Sequence, residues 1–195
     1  MSAKVHRKLS WLLLALPALL LIPGGDLADL TALSGEIAAK CLLAALLISP
    51  LADALRPWPK LRAAAGRLVR YRRALGVAAF CYALIHLVYY LVDMGRLDDV
   101  LGEIGVPGIW TGWLALALMV PMAATSNDAA VRWLKQGWKR LQRLAYPVAL
   151  LTFAHWALVH DGVREALVYG APLALLQIIR IISRMVSTWR ALAAG

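Results

Sequence analysis

The chain has 195 residues, of which 62% are hydrophobic and only 16% are charged, and its mean hydropathy is +0.68. A soluble domain of this length does not carry so apolar a composition, so we expect an integral membrane protein. The net charge of +10 does not indicate a nucleic-acid-binding protein, because the basic residues stand between apolar runs and not on a polar face with base-reading side chains.

Six apolar stretches are long enough, or nearly so, to cross a bilayer as helices. The sequence therefore predicts one all-α integral-membrane domain, a polytopic helix bundle with spans at about 9–23, 36–55, 74–92, 109–124, 144–160 and 166–183. The first stretch looks like a signal peptide. No convincing small-residue cleavage site follows it, however, and another apolar run does, which favours a retained first helix.

The charged residues alternate between the two sides of this predicted topology. Most of the 21 Lys and Arg residues lie before span one, between spans two and three, between spans four and five, and after span six. Most of the 11 acidic residues lie on the other side or at its helix ends. The positive-inside rule then predicts that both termini are cytoplasmic, with lipid headgroups as the default partners of the positive charge.

Span two contains a lysine, Lys40, which is costly inside a membrane unless it reaches the interface or has a partner. Glu36 precedes it by four residues, so a helix places the two side chains next to each other. A local ion pair is the simpler interpretation. The alternative is that Lys40 contacts an anionic group of a cofactor.

Spans three and five each carry one histidine well inside the apolar run, His86 and His155. Both lie ~18 Å from the predicted cytoplasmic end, at the helical rise of about 1.5 Å per residue. Histidines at the same depth on two helices predict a metal cofactor between them. His6 precedes span one and is expected in solvent, whereas His160 is expected at the outer aqueous side or against a neighbouring helix.

Two histidines suit haem iron in an electron-transfer protein, because both axial positions are then filled. Zinc or copper would usually recruit a third or fourth ligand at the same level. Gly76, Ala79 and Ala83 form a strip of small residues on the His86 helix that would admit a flat macrocycle, although such strips also serve helix packing. Tyr82 is a candidate hydrogen-bond partner of an imidazole or a propionate, or an interface residue.

The order and spacing of several short motifs resemble those of a known family. These motifs are Ser34-Gly35, Lys40-x-Leu-Leu-Ala, Ile48-Ser-Pro50, Arg72-Arg73-x-Leu-Gly76, Tyr82-x-x-x-His86, Ala124-Thr-Ser126, Leu141-x-Arg143-Leu-x-Tyr146 and His155. Together they resemble the MsrQ (YedZ) family, the haem-binding membrane subunits of the periplasmic methionine sulfoxide reductase system. That family lies in the ferric-reductase-like transmembrane superfamily.

The resemblance implies one b-type haem with His86 and His155 as axial ligands, in a multi-pass protein of the bacterial inner membrane. It also implies that electrons pass from a cytoplasmic flavin reductase or the quinone pool to a periplasmic, molybdenum-containing methionine sulfoxide reductase. The chain would then be an electron-transfer subunit without catalytic residues of its own, not a complete enzyme. Gln142 stands where family members usually have a further histidine, and glutamine is a poor haem ligand, which argues against a second haem there.

FMN and quinone are further candidate cofactors on the inner side. Arg73 and Arg143, at the feet of the two histidine-bearing helices, could bind an anionic phosphate through charge-assisted hydrogen bonds, or simply face lipid headgroups.

Two other functions fit parts of the sequence. A stand-alone ferric or other metal reductase is one, although no GxGxxG motif or soluble nicotinamide-binding domain is present in the sequence. A non-redox transporter or scaffold is the other, but few ionisable residues lie within the spans to form an ion path.

Overall fold

In a computed structural model, residues 14–21, 25–55, 57–159 and 162–193 are described. They form helices joined by short turns, with no strand in these ranges, which confirms the predicted all-α class. The α-helices are α1 Leu27–Ala54, α2 Pro59–Leu68, α3 Arg72–Met94, α4 Leu97–Glu103, α5 Pro107–Ala124, α6 Asp128–Leu134, α7 Gln136–Leu141, α8 Ala145–Val159 and α9 Val163–Ala193. Short 3₁₀ helices occupy Leu16–Leu21, Val69–Tyr71 and Gln142–Leu144.

Four helical runs among the described residues are long and apolar enough to cross a membrane. They are Leu27–Ala54, Pro59–Met94, Pro107–Ala124 and Val163–Trp189. Of the two other predicted spans, α8 has only 15 residues, and only the part from residue 14 to residue 21 of the first is described. The flanks of that first stretch, together with His6 and His160, lie outside the described residues, so the prediction of six spans stays a prediction.

Helix α1 begins nine residues before the predicted start of span two, at Leu27 and not at residue 36. The Asp26 side chain accepts a hydrogen bond from the backbone N–H of Ala28, at 3.2 Å, and so caps the first turn. Thr31 to Gly35, expected in a connecting segment, therefore belong to the helix. Helix α9 likewise extends beyond its predicted limits of 166 and 183 at both ends.

Five helices share one apolar core. Its buried members are Leu42, Leu43 and Leu46 of α1, Ala79 of α3, Ala115 and Met119 of α5, Val148 and Ala149 of α8, and Leu173 of α9. Ala79 and Val148 have no exposed surface. The core thus contains residues of both α3 and α8, the helices that carry His86 and His155.

The helices run alternately up and down, so their ends meet at two ends of the bundle. The side chains at these two ends differ chemically. At what we call the basic end, where α1 and α5 end and α3 and α8 begin, Arg72 donates through Nε to the Ala45 carbonyl at 3.1 Å and through Nη1 to Ser49 Oγ at 2.9 Å. Two ion pairs lie at the same end, between Arg73 and Asp128 at 2.7 Å and between Arg180 and Asp53 at 3.0 Å. At the opposite end, called the histidine end, lie His86 and His155.

Candidate functional site

His86 lies on α3 opposite the first turns of α1. Its Nδ1 is 2.7 Å from the backbone carbonyl oxygen of Thr31. A carbonyl oxygen can only accept a hydrogen bond, so Nδ1 carries the proton and the lone pair of the neutral ring is on Nε2.

His155 on α8 has the same arrangement with α5. Its Nδ1 is 2.7 Å from the carbonyl oxygen of Gly108. Its Nδ1 therefore also carries the proton, and its lone pair is on Nε2. Each histidine is thus held as the tautomer that can bind a metal through Nε2, and the hydrogen bond at Nδ1 is the usual way in which proteins orient such a ligand.

The two imidazole rings lie near each other, although they come from different helices. Their centroids are 6.0 Å apart and their planes are nearly perpendicular, at 88°. Two metal–imidazole bonds of about 2 Å, plus about 1.1 Å from each bonding nitrogen to its ring centroid, give a spacing of about 6 Å. The separation of the rings therefore fits a single metal ion bound by both histidines.

Glycines allow the helices to approach the rings this closely. A Cβ atom on Gly35 would lie 2.8 Å from His86 Nδ1, and one on Gly112 would lie 2.8 Å from His155 Nδ1. A Cβ on Gly108 would lie 2.7 Å from Val159 Cγ2 on α8. Contacts this short are not tolerated, so a larger residue at any of these positions would displace a ring or a helix.

A cleft of about 970 Å³, including its open mouth, lies beside the two rings. Its walls are mostly apolar, with small side chains on several helices, and the polar lining residues include Glu36, Tyr90 and Thr152. Such a cleft suits a flat, largely apolar ligand, because water gains little from filling an apolar space.

The structure brings only some of the predicted site residues to this cleft. His86, His155 and Ala83 line it. Ala79 is instead completely buried in the helical core, and a Cβ on Gly76 would meet no atom within 4 Å. The strip of small residues on α3 therefore serves helix packing as well as the cleft.

Tyr82 and Lys40 do not line the cleft themselves, and each has its own partners. Tyr82 Oη donates to the Leu14 carbonyl at 2.6 Å and so joins α3 to the first described segment. Lys40 Nζ is 2.7 Å from Glu36 Oε1, the local ion pair expected from their spacing, and it lies 5.5 Å from the ring centroid of Tyr169. Glu36 lines the cleft, so this ion pair borders the site.

Arg73, Arg143 and Gln142 all lie at the basic end, away from the histidines. Arg73 pairs with Asp128, and Arg143 is exposed in the 3₁₀ turn Gln142–Leu144. Gln142 donates through Nε2 to the carbonyl of Met122 at 3.2 Å, which joins this turn to α5. These residues belong to a second region of the protein and are not part of the cleft.

The donor atoms at the cleft favour a metal held by two axial nitrogens. Among the described residues, no group of three or more His, Cys, Asp or Glu side chains is placed to hold a metal ion. Zinc and copper sites generally need more protein ligands than two. A macrocycle that supplies the remaining ligands itself, as haem does, fits this donor set and the apolar walls.

Sequence reasoning missed the partners of the histidines. Thr31 and Gly35 were expected in a loop, and Gly108 precedes the predicted start of span four. The Asp26 cap followed by apolar residues at Leu27, Leu30 and Ile37 could have indicated the earlier start of α1. The carbonyl contacts themselves are tertiary and carry no sequence signal.

Comparison with known proteins gives a family. Residues 34–153 match the model of the family described as ferric reductase like transmembrane component. No solved structure gives a significant match.

Several bacterial proteins named "Protein-methionine-sulfoxide reductase heme-binding subunit MsrQ" are also similar. One from Xanthomonas campestris pv. campestris (strain 8004) is 38% identical over 169 residues, which are 83% of this chain and 73% of the relative. One from Rhizobium meliloti (strain 1021) is 33% identical over 174 residues, 87% of this chain and 76% of the relative. The chain therefore belongs to the ferric reductase-like transmembrane family and to the MsrQ family.

Proposed function

We propose that this protein is a transmembrane electron-transfer subunit that binds one haem b through His86 and His155 and serves a methionine sulfoxide reductase. The observation that carries the proposal is the pair of imidazoles with centroids 6.0 Å apart, each held through Nδ1 by a backbone carbonyl. The names of the relatives, which describe haem-binding subunits of a methionine sulfoxide reductase, support it.

In this role the protein's own residues bind and orient the cofactor, and no bond-making residue is needed. Bound haem would supply one-electron transfer, and His86 and His155 are the residues that would hold it. The Thr31 and Gly108 carbonyls keep both imidazoles in the metal-binding tautomer. The apolar walls exclude water, and a low local dielectric helps to set the reduction potential.

We further propose a bacterial inner-membrane location with both termini in the cytoplasm, so that the histidine end lies in the outer half of the bilayer. Its support is the concentration of arginine contacts at the opposite end of the bundle. The acceptor would then be a periplasmic, molybdenum-containing methionine sulfoxide reductase, reached from the histidine end.

The electron donor in this proposal is a cytoplasmic flavin reductase or a quinone, which meets the basic end. Arg143 is exposed there, and Arg73 forms an ion pair with Asp128 that is itself partly exposed. Both arginines can therefore offer positive charge to an anionic group such as the phosphate of FMN. Flavin and haem content of the purified protein, measured together, tests whether FMN is a resident cofactor.

The test of haem ligation is the visible spectrum of the detergent-purified protein before and after dithionite, with haem per chain measured as the pyridine haemochrome. We expect a low-spin b-type spectrum at about one haem per chain, as for other bis-histidine sites. His86→Ala and His155→Ala should each lose most of the haem.

His160→Ala is the matched control. Like His155, His160 lies toward the end of the fifth apolar stretch of the sequence, but it is not a proposed ligand. It should keep a full complement of haem. Full haem retention in both His86→Ala and His155→Ala, or a folded but colourless wild-type protein made with haem available, would refute the proposal.

A further inference from the structure

The two histidines are held by the same three-part arrangement on two different helices. In α1 the Thr31 carbonyl accepts from His86 Nδ1, and the Ser34 hydroxyl lies 2.9 Å from the same oxygen and 2.8 Å from the Leu30 carbonyl oxygen. Gly35 follows. In α5 the Gly108 carbonyl accepts from His155 Nδ1 and also from Thr111 Oγ1, at 2.6 Å, and Gly112 follows. An acceptor carbonyl, a hydroxyl three residues later and a glycine four residues later thus occur twice.

Both hydroxyl residues are deeply buried. Ser34 is 0% exposed and Thr111 is 6% exposed, and they are the two buried polar residues within the described part of the chain. Burying a hydroxyl is unfavourable unless it is hydrogen-bonded, and helices offer other carbonyls that would satisfy it. Thr111 Oγ1 donates to the oxygen that accepts from His155, and the Ser34 hydroxyl is shared between the oxygen that accepts from His86 and the Leu30 carbonyl. Both hydroxyls therefore lie on the acceptor of a histidine, with the stronger contact at Thr111.

The effect on each histidine follows from how a carbonyl oxygen shares its electron density. A strong hydrogen bond at Nδ1 raises the basicity of the imidazole and so stabilises the oxidised metal at Nε2. A hydroxyl that donates to the same oxygen reduces what the oxygen can give to the imidazole N–H. Ser34 and Thr111 thus weaken the two histidine hydrogen bonds and raise the reduction potential of a bound haem.

The glycines contribute the orientation of the rings. Gly35 lies against the His86 ring and Gly112 lies against the His155 ring. A Cβ atom added to either glycine would be 2.8 Å from Nδ1 of that ring. The carbonyl fixes the position of Nδ1, and the glycine fixes the space beside the ring. Helix α1 therefore sets the plane of the His86 ring, and helix α5 sets the plane of the His155 ring. The two planes are consequently crossed at 88° by the protein itself.

We propose that Ser34–Gly35 and Thr111–Gly112 are paired positioning elements that set the plane and the basicity of the two axial histidines. This inference rests on the proposed haem ligation by His86 and His155. Each hydroxyl raises the midpoint potential of the bound haem, and each glycine helps to keep the two rings perpendicular.

The first test is a redox titration of the haem-loaded protein with Thr111→Val, which removes the hydroxyl at nearly constant volume, and with Ser34→Ala. We expect haem to be retained and the midpoint potential to fall below that of the wild type in both. Thr111→Ser, which keeps a hydroxyl, should restore the wild-type value. A wild-type potential in both Thr111→Val and Ser34→Ala would overturn the role of the hydroxyls.

The second test is the electron paramagnetic resonance spectrum of the oxidised protein, which reports the angle between axial imidazole planes. We expect the strongly anisotropic low-spin signal of crossed planes in the wild type, and a changed signal in Gly112→Ala and Gly35→Ala. Gly66→Ala is the control, because a Cβ there meets nothing within 4 Å. A wild-type signal typical of parallel planes, or unchanged signals in both glycine variants, would overturn the inference.

If Gly112→Ala holds no haem, the hydrogen bond to the Gly108 carbonyl can be tested in another variant. In His155→Gly, added imidazole can donate an N–H to the Gly108 carbonyl while 1-methylimidazole cannot, so we expect the latter to bind about fivefold or more weakly. Equal binding would overturn the inference. A folded wild-type protein that holds no haem would instead refute the proposed function, so the two failures are distinguishable.

Discussion

At the histidine end, α3 and α8 are joined to α1 and α5 through imidazole N–H groups that donate to backbone carbonyls. At the basic end, α3 is joined to the same helix α1 through the long side chain of Arg72, and further contacts are ion pairs. The first kind of contact allows little displacement, because glycine Cα atoms lie against the rings. The second kind tolerates displacement, because an arginine side chain can adjust its torsions.

This difference indicates a division of labour within one bundle. Close packing at the histidine end fixes the positions of two nitrogen atoms, as a metal site requires. Flexible charged contacts at the basic end hold the helix ends together near headgroups and solvent. We therefore expect mutations at the first end to change haem binding, and mutations of the helix-joining contacts at the second end to change stability while haem binding is unchanged.

The largest effect should come from Gly108→Val, which breaks the close approach of α5 to α8. Its side chain would overlap Val159 and Leu158, so we expect a loss of about 3 kcal/mol in the free energy of unfolding, typical of severe overpacking, together with loss of most haem. Unfolding in a detergent–SDS titration and the haem content measure both. Gly105→Val is the control, since a Cβ there meets nothing within 4 Å. Full haem retention in Gly108→Val would remove the contrast between the ends.

A smaller effect, on stability alone, is expected for Arg72→Ala. This change removes two charge-assisted hydrogen bonds between α3 and α1 and should cost about 2 kcal/mol. The same SDS titration measures it, and the spectrum of the bound haem should be unchanged. Arg73→Ala is the matched control, because its ion pair with Asp128 is much more exposed and should contribute less than about 1 kcal/mol. A shifted haem spectrum in Arg72→Ala would show that the two ends are coupled.

The smallest effect is expected for the ion pair between Asp53 on α1 and Arg180 on α9. The side chains are 26% and 19% exposed, so we expect a coupling energy of about 1 kcal/mol, between the values of exposed and fully buried pairs. A double-mutant cycle with Asp53→Asn and Arg180→Gln measures it. A coupling energy near zero would mean that this ion pair does not help to hold α9 against α1.

The sequence predicted the helices and the histidine pair because both depend on local, periodic signals. Apolar length predicts membrane helices, and equal spacing from the predicted span starts indicated that His86 and His155 lie near each other, as their ring centroids 6.0 Å apart do. The helices themselves begin at Arg72 and Ala145, so this spacing is not equal in the structure. The ion pair between Glu36 and Lys40 was likewise predictable, because four residues make one helical turn.

The remaining parts of the site could not be predicted in the same way. Thr31 and Gly108 act through carbonyl groups that every residue possesses, so nothing in their side chains marks them. Tyr82 looked like a neighbour of His86, yet it donates to Leu14, because its direction around α3 depends on which helices pack there. Which small residues face the cleft and which face the core depends on the same packing.

The two halves of the site also differ in when they are made. The α1–α3 pair, with His86 already facing its carbonyl, is synthesised before the α5–α8 pair that brings His155. A nascent chain that stops before α8 has only His86 of the two proposed haem ligands, and the proposed haem would lack its second ligand. Tightly held haem would thus report that the second hairpin has been inserted and packed, which makes cofactor content a measure of complete membrane assembly.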